Sequence, residues 1–101
     1  MNIGDIYQGV WQGVASSATI SLLPAILTDT QTFQIMDIYT EDGSAVFNLG
    51  RFDGTNEDYF AVNENESYLG FNLLENSDSY LILQNANGDT ATFSYFGKVV
   101  R

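Results

Sequence analysis

Turn-forming residues recur along this chain at intervals of about 10–13 residues. Asp42-Gly43, Asp53-Gly54, the clusters at 63–66 and 76–79, and Asn87-Gly88-Asp89 separate runs rich in Phe, Tyr, Val, Ile, Leu and Thr. That spacing suits short antiparallel strands and leaves no room for a long helix. No window carries a sustained apolar stripe of helical period either. The expected strands are 6–14, 19–27, 32–40, 45–52, 59–63, 67–74, 79–84 and 90–100. Pro24 weakens the second, because proline removes a ladder donor and is confined to edges or turns. Asn87-Gly88 is the strongest turn signal, since both central positions of a type I′ hairpin turn require positive φ. The fold expected is all-β: an antiparallel up-and-down meander of seven to eight strands forming a small closed or nearly closed barrel.

Composition narrows the functions open to such a fold. The 101 residues include 13 acids and 3 cations, for a formal charge of −10. The length suits one domain over residues 1–101. There is no cysteine and no histidine. Disulfides, thiolate metal sites and Ser-His-Asp or Cys-His catalysis are therefore excluded. No phosphate-binding glycine motif is present, and a short meander hardly forms the deep cleft that a carboxylate-pair glycosidase needs. The chain is expected not to be an enzyme and to carry no cofactor. Its charge argues against direct binding to nucleic acid or to an anionic surface. No run approaches the ~18 apolar residues of a membrane span. Met1-Asn2-Ile3-Gly4-Asp5 has neither the basic nor the apolar region of a signal peptide. That is consistent with a cytoplasmic protein or with a secreted domain whose leader has been removed.

Eleven of the 13 acids fall in or beside turns. In a meander they divide six to five between the two ends of the sheet, as turn chemistry alone would give. The oxygen-rich loop 53–58, with Asp53, Asn56 and Asp58, is the best calcium candidate, but it lacks the ligand order of an EF-hand. No metal is expected. Nucleic-acid mimicry is a competing reading, and would need carboxylates ranked along one face. Asp37 sits mid-strand and reads as an outward charge on an edge strand. If it is buried instead, only Arg51, Lys98 or Arg101 can neutralise it.

Two strands are apolar on both faces. In 32–40, Phe33, Ile35 and Tyr39 alternate with Met36 and Ile38. In 79–84, Tyr80 and Ile82 alternate with Leu81 and Leu83. Each must be covered on both sides, by the chain's own segment 16–27 or by a partner such as a second copy.

The single tryptophan lies in Tyr7-Gln8-Gly9-Val10-Trp11-Gln12-Gly13, and the far end reads Phe96-Gly97-Lys98-Val99-Val100-Arg101. This pairing of a first-strand Gly-x-Trp with late cations resembles the calycin family of lipocalin- and avidin-like barrels, and small domains of bacterial envelope lipoproteins. The resemblance covers about 13 residues at the two ends. It implies that Gly9, Trp11, Lys98 and Arg101 close the barrel, with a cation stacked on the indole. It further implies periplasmic or secreted localisation after removal of a signal peptide. Trp11, Phe33, Phe71, Tyr80 and Phe93 are then pocket or core aromatics.

The function expected from these readings is a non-catalytic binding or accessory domain. It would take a small apolar ligand or a protein partner, with a homodimer as one form of the latter. The alternative is an acidic inhibitor, of a phage anti-defence or toxin-immunity type, that blocks a basic site on its target.

Overall fold

The computed structural model describes residues 1–40, 45–64 and 73–101. Its strands are β1 (Ile6–Val14), β2 (Thr19–Ser21), β3 (Phe33–Thr40), β4 (Phe47–Phe52), β5 (Glu57–Glu64), β6 (Leu73–Glu75), β7 (Tyr80–Asn85) and β8 (Ala91–Val99). They fall where alternating β-branched and aromatic residues run between turns. The second is cut to three residues. After Leu22, which still donates its N–H to Leu81, the chain leaves the ladder at Pro24 and turns back through a Leu27 N–H to Pro24 C=O bond. Most of the expected strand 67–74 lies outside the described residues.

The connectivity is not a meander, and the sheets do not close into a barrel. One sheet runs β1-β8-β3-β6 and the other β2-β7-β4-β5, all antiparallel. The pairs β1·β8, β2·β7, β3·β6 and β4·β5 show the logic: the chain is folded in half at the β4–β5 turn and the resulting double ribbon is rolled up. The β8–β3 and β7–β4 pairings then complete two sheets of a jelly roll. Among the described residues each sheet keeps two free edges. The link from β1 to β2 and the link from β7 to β8 are only four or five residues long. Across sheets about 10 Å apart, such links connect strands that face each other. So β1 lies over β2 at one lateral side of the sandwich, and β6 lies over β5 at the other.

Phe33, Ile35, Ile38, Phe93 and Val99 of the first sheet meet Phe47, Leu49, Leu81 and Leu83 of the second, all at most 1% exposed. Phe47 and Phe93 touch edge to face across the gap, with centroids 5.9 Å apart. Three of these side chains explain the irregular alternation of β3. The register slips between Ile35 and Asp37, so Met36 is an inserted residue. A bulge flips the phase of the residues beyond it. Ile38 thereby joins Phe33 and Ile35 in the interior, and no partner is needed to cover it. Asp37 is corrected as well. It lies on a strand flanked by β8 and β6, opposite Phe96, and is 6% exposed rather than an outward edge charge.

The outer face of β7 is covered by the chain itself. Tyr59 of β5 lies against Gly50 on β4, and its hydroxyl reaches Thr19 Oγ1 on β2, 3.2 Å away. Ile82, between Gly50 and Ser21 in the ladder, is left 3% exposed.

The turn signals divide. Asp53-Gly54 forms the β4–β5 hairpin, with Gly54 at φ 97°. Asn87-Gly88 is not a type I′ hairpin, because neither residue has positive φ and the segment crosses between sheets. Asn85 shapes that crossing instead. Its Nδ2 donates to the carbonyls of Val14 and Asp89, and its Oδ1 accepts from the N–H of Asn87.

Candidate functional site: an uncharged sheet edge and its cleft

Every residue from Ile6 to Thr28 is uncharged. In the fold that stretch is β1, β2 and the returning segment after them, which together make one lateral side of the sandwich. β1 is an edge strand with no charge on it. Natural edge strands are normally protected by charges, proline or pronounced bulges, because unpaired N–H and C=O groups template pairing with another chain. Between Ile6 and Trp11 the strand is regular, and its bulge comes only between Trp11 and Val14. Ile6 is 65%, Val10 47% and Trp11 43% exposed.

Beside this edge lies an open cleft of about 180 Å³, lined by Tyr7, Gly9, Val10, Trp11, Leu23, Ala25 and Tyr95. Tyr95 forms its inner end. Its ring lies 6.2 Å from that of Tyr7. Burial, reinforced by Tyr7 and by Glu75, pushes its phenol well above the usual range, so it remains a neutral hydroxyl. Gly9 pairs with Tyr95 in the ladder, and a Cβ at Gly9 would overlap the tyrosine ring. Gly9→Ala is therefore expected to displace Tyr95 and lower stability by roughly 1–3 kcal/mol. The check is a lower urea midpoint at unchanged slope.

The expected closure of the barrel by Gly9, Trp11, Lys98 and Arg101 is not what these residues do. The first strand does pair with the last, but among the described residues β1 has no neighbour on its other side. Trp11 pairs with Phe93, whereas Lys98 pairs with Ile6, five ladder positions away and on the other face. At about 3.4 Å per residue that is roughly 17 Å, too far for a cation on the indole. Arg101 is exposed and bonds through its backbone to Thr32. Of the aromatics expected in a pocket or in the core, Trp11 borders the cleft. Phe33 and Phe93 are core, Tyr80 packs on Phe52 at 5.4 Å, and Phe71 lies outside the described residues.

The calcium candidate is taken up by its own backbone. Asp53 Oδ1 accepts the N–H groups of Thr55 and Asn56, at 2.9 and 2.7 Å, which hold its carboxyl below the usual carboxylate range. Asn56 and Asp58 flank this turn, and no group of three potential acidic ligands converges among the described residues.

One functional group escapes sequence reasoning. Glu75 reads as a turn acid, yet it is 1% exposed. It pairs with Phe33 in the ladder. Its Oε1 accepts the N–H of Leu81 at 2.9 Å, and its Oε2 has no hydrogen-bond partner among the described residues. Burial pushes its carboxyl up to about 8, against the opposing effects of the Leu81 N–H and the Arg51 charge. Arg51 is drawn to this corner, where its guanidinium donates to Leu74 C=O at 2.8 Å and Ser79 Oγ at 3.1 Å. Only the cross-strand register reveals this, because Leu73-Leu74-Glu75 read alone does not say which face is inside.

No protein-family model matches the chain. No curated protein matches it in sequence. Similarity appears among solved structures. The nucleoplasmin-like N-terminal domain of Drosophila FKBP39 matches with a TM-score of 0.61 at 15% identity, over 98% of this chain and 91% of that one. The Drosophila NLP core, a structure described as giving insight into pentamer formation and histone binding, matches at 0.53 and 10%, over 95% and 98%. A subunit of Bacillus endospore appendages, described as disulfide-linked pili, matches at 0.56 and 9%, over 98% and 88%. These likenesses establish the fold and replace the calycin resemblance, as the open sheets require.

Proposed function

We propose that this chain is a non-catalytic binding module whose partner is protein, and that it self-associates through the β1 side. One observation carries the reading: a regular edge strand without charge, bearing exposed Ile6, Val10 and Trp11, in a chain of net charge −10. A like-charged copy meets least repulsion at that side. The cleft of about 180 Å³ is smaller than the roughly 300–1,000 Å³ of pockets that enclose drug-sized ligands, so it suits a group the size of one side chain. The nucleoplasmin-like core and the appendage subunit belong to proteins described by a pentamer and by pili. They support the reading only in that the same fold serves as a unit of assembly. Disulfide linkage is closed to this chain, which has no cysteine. No helix among the described residues is long and apolar enough to cross a membrane.

The test is sedimentation across protein concentration at 0.15 M salt, with Trp11 fluorescence read in parallel. Association is expected, accompanied by a blue shift as the half-exposed indole loses water. A monomer at every concentration would remove the proposal.

A second reading, a basic protein partner, draws on the other side of the molecule. Asp78, on the β6–β7 turn, has its carbonyl beside Gly54 of the β4–β5 turn. Asp53 and Asp78 therefore lie on adjacent exposed turns, with the exposed Glu57 and Asp58 at the start of β5. Such binding would weaken steeply with salt, whereas association through β1 would not.

A further inference from the structure

The exposed large apolar side chains of the described residues fall into two groups. Ile3, Ile6, Val10, Trp11 and Ile26 belong to β1, its approach and the segment after β2. Phe60 at 54%, Val62 at 56% and Leu74 at 43% belong to β5 and β6, at the opposite lateral side. The two sides differ in kind. β1 offers a regular ladder edge and a cleft. β5 is interrupted by register shifts on both sides of Leu49's pairing with Ala61, and it carries Glu57 and Asp58. Bulges and charges close its edge to strand addition, and a bulge re-aims the residue it inserts. Phe60 is that residue at the slip between Tyr59 and Ala61.

We propose that copies of this chain associate head to tail, with Phe60 and Val62 of one copy seated on the Trp11 cleft of the next. This rests on the proposed self-association through β1 and specifies its partner surface. Three observations converge. The size fits, because a cavity of roughly 150 Å³ accommodates a benzene ring and the cleft has about 180 Å³. The charge fits, because the acids beside Phe60 would oppose one another in a β5–β5 contact but meet the uncharged stretch 6–28 on the β1 side. Coverage fits, because a two-fold β1–β1 contact would leave Phe60, Val62 and Leu74 in water, whereas one repeated head-to-tail contact buries both groups. Such a contact closes into a ring if its rotation allows and otherwise continues as a filament.

The experiment uses two variants of the full chain, Val10→Asp and Phe60→Asp, both at exposed positions, with circular dichroism confirming the fold. Val10→Ser and Phe60→Ser replace either one that does not fold. Trp11 is retained as reporter. Each variant alone is expected to lose assembly, raising the midpoint concentration roughly 30-fold or more, as for a buried interface anchor. Mixed one to one, they are expected to form a heterodimer that grows no further. In it the intact Phe60 of the Val10→Asp copy fills the intact cleft of the Phe60→Asp copy, and the latter's Trp11 emission shifts to the blue. If Phe60→Asp assembles like the wild type while Val10→Asp is monomeric, the head-to-tail contact is wrong and self-association through β1 stands. A mixture that stays monomeric also overturns it. A wild type that never associates, or a Val10→Asp variant that assembles normally, removes both readings.

Discussion

Glu75→Gln is expected to make the protein more stable than the wild type at pH 8 and to flatten its pH dependence. The wild-type carboxyl ionises near 4.5 when unfolded and near 8 when folded. Below pH 4.5 it is protonated in both states. Between these values the unfolded chain has lost the proton and the folded chain still holds it. Stability therefore falls as pH rises through this window, by up to ~1.4 kcal/mol per pH unit, and levels off above pH 8. The full span is of the order of 5 kcal/mol, a large share of the 5–15 kcal/mol that such domains possess. Glutamine keeps an oxygen for the Leu81 N–H and is neutral throughout, so urea midpoints at pH 5, 6.5 and 8 should no longer carry this slope. Glu75→Ala should behave differently, since it orphans that N–H at every pH. An unchanged slope in Glu75→Gln would show that the carboxyl titrates normally in the folded protein.

Phe33→Ala is expected to be the most damaging of single core truncations, at about 3–5 kcal/mol. Phe33 is fully buried, meets Tyr7 edge to face at 6.3 Å, and stands in register with Glu75 and Val99 on its two sides. The surroundings cannot collapse easily into the space. A Cβ at Gly97 would overlap both the Phe33 ring and the Gln34 carbonyl. Removing the ring therefore relieves only one of the two overlaps, and Gly97→Ala should not rescue Phe33→Ala. Equilibrium urea unfolding of both single variants and the double variant measures this. A loss below about 1 kcal/mol in Phe33→Ala would mean that the sheets close over the gap.

Where strands run was legible in the sequence, and how they connect was not. Turn residues and alternation located β1, β3, β4, β7 and β8 closely. They could not distinguish a meander from a rolled ribbon, because the difference lies in which strand each one pairs with. Asn87-Gly88 misled for a local reason: the side chain of Asn85 supplies the bonds that a tight hairpin would have supplied. Met36 misled because a single inserted residue made one buried face look like two. At the candidate site, Trp11 and Gly9 stood out as residue types, but Trp11 borders the side of an open sheet and Gly9 makes room for Tyr95. Turn spacing sorts the acids only by the two ends of a meander, where they divide evenly. The asymmetry lies across the sheets instead, since the stretch 6–28 that forms the lateral side with β1 and β2 has none.

Nested pairing also dictates an order of events. The β4–β5 hairpin closes a loop of a few residues, whereas among the described residues β1 pairs only with β8, about 85 residues further along the chain. Contacts so distant in sequence form late and slowly, because the entropy of closing the loop must be met before they stabilise anything. Structure is thus expected to spread outward from the centre of the sequence, with β1 the last strand to dock. The strand proposed to meet a neighbouring copy has no sheet of its own to belong to until β8 is in place. Assembly through it would then be held back until the rest of the molecule has folded.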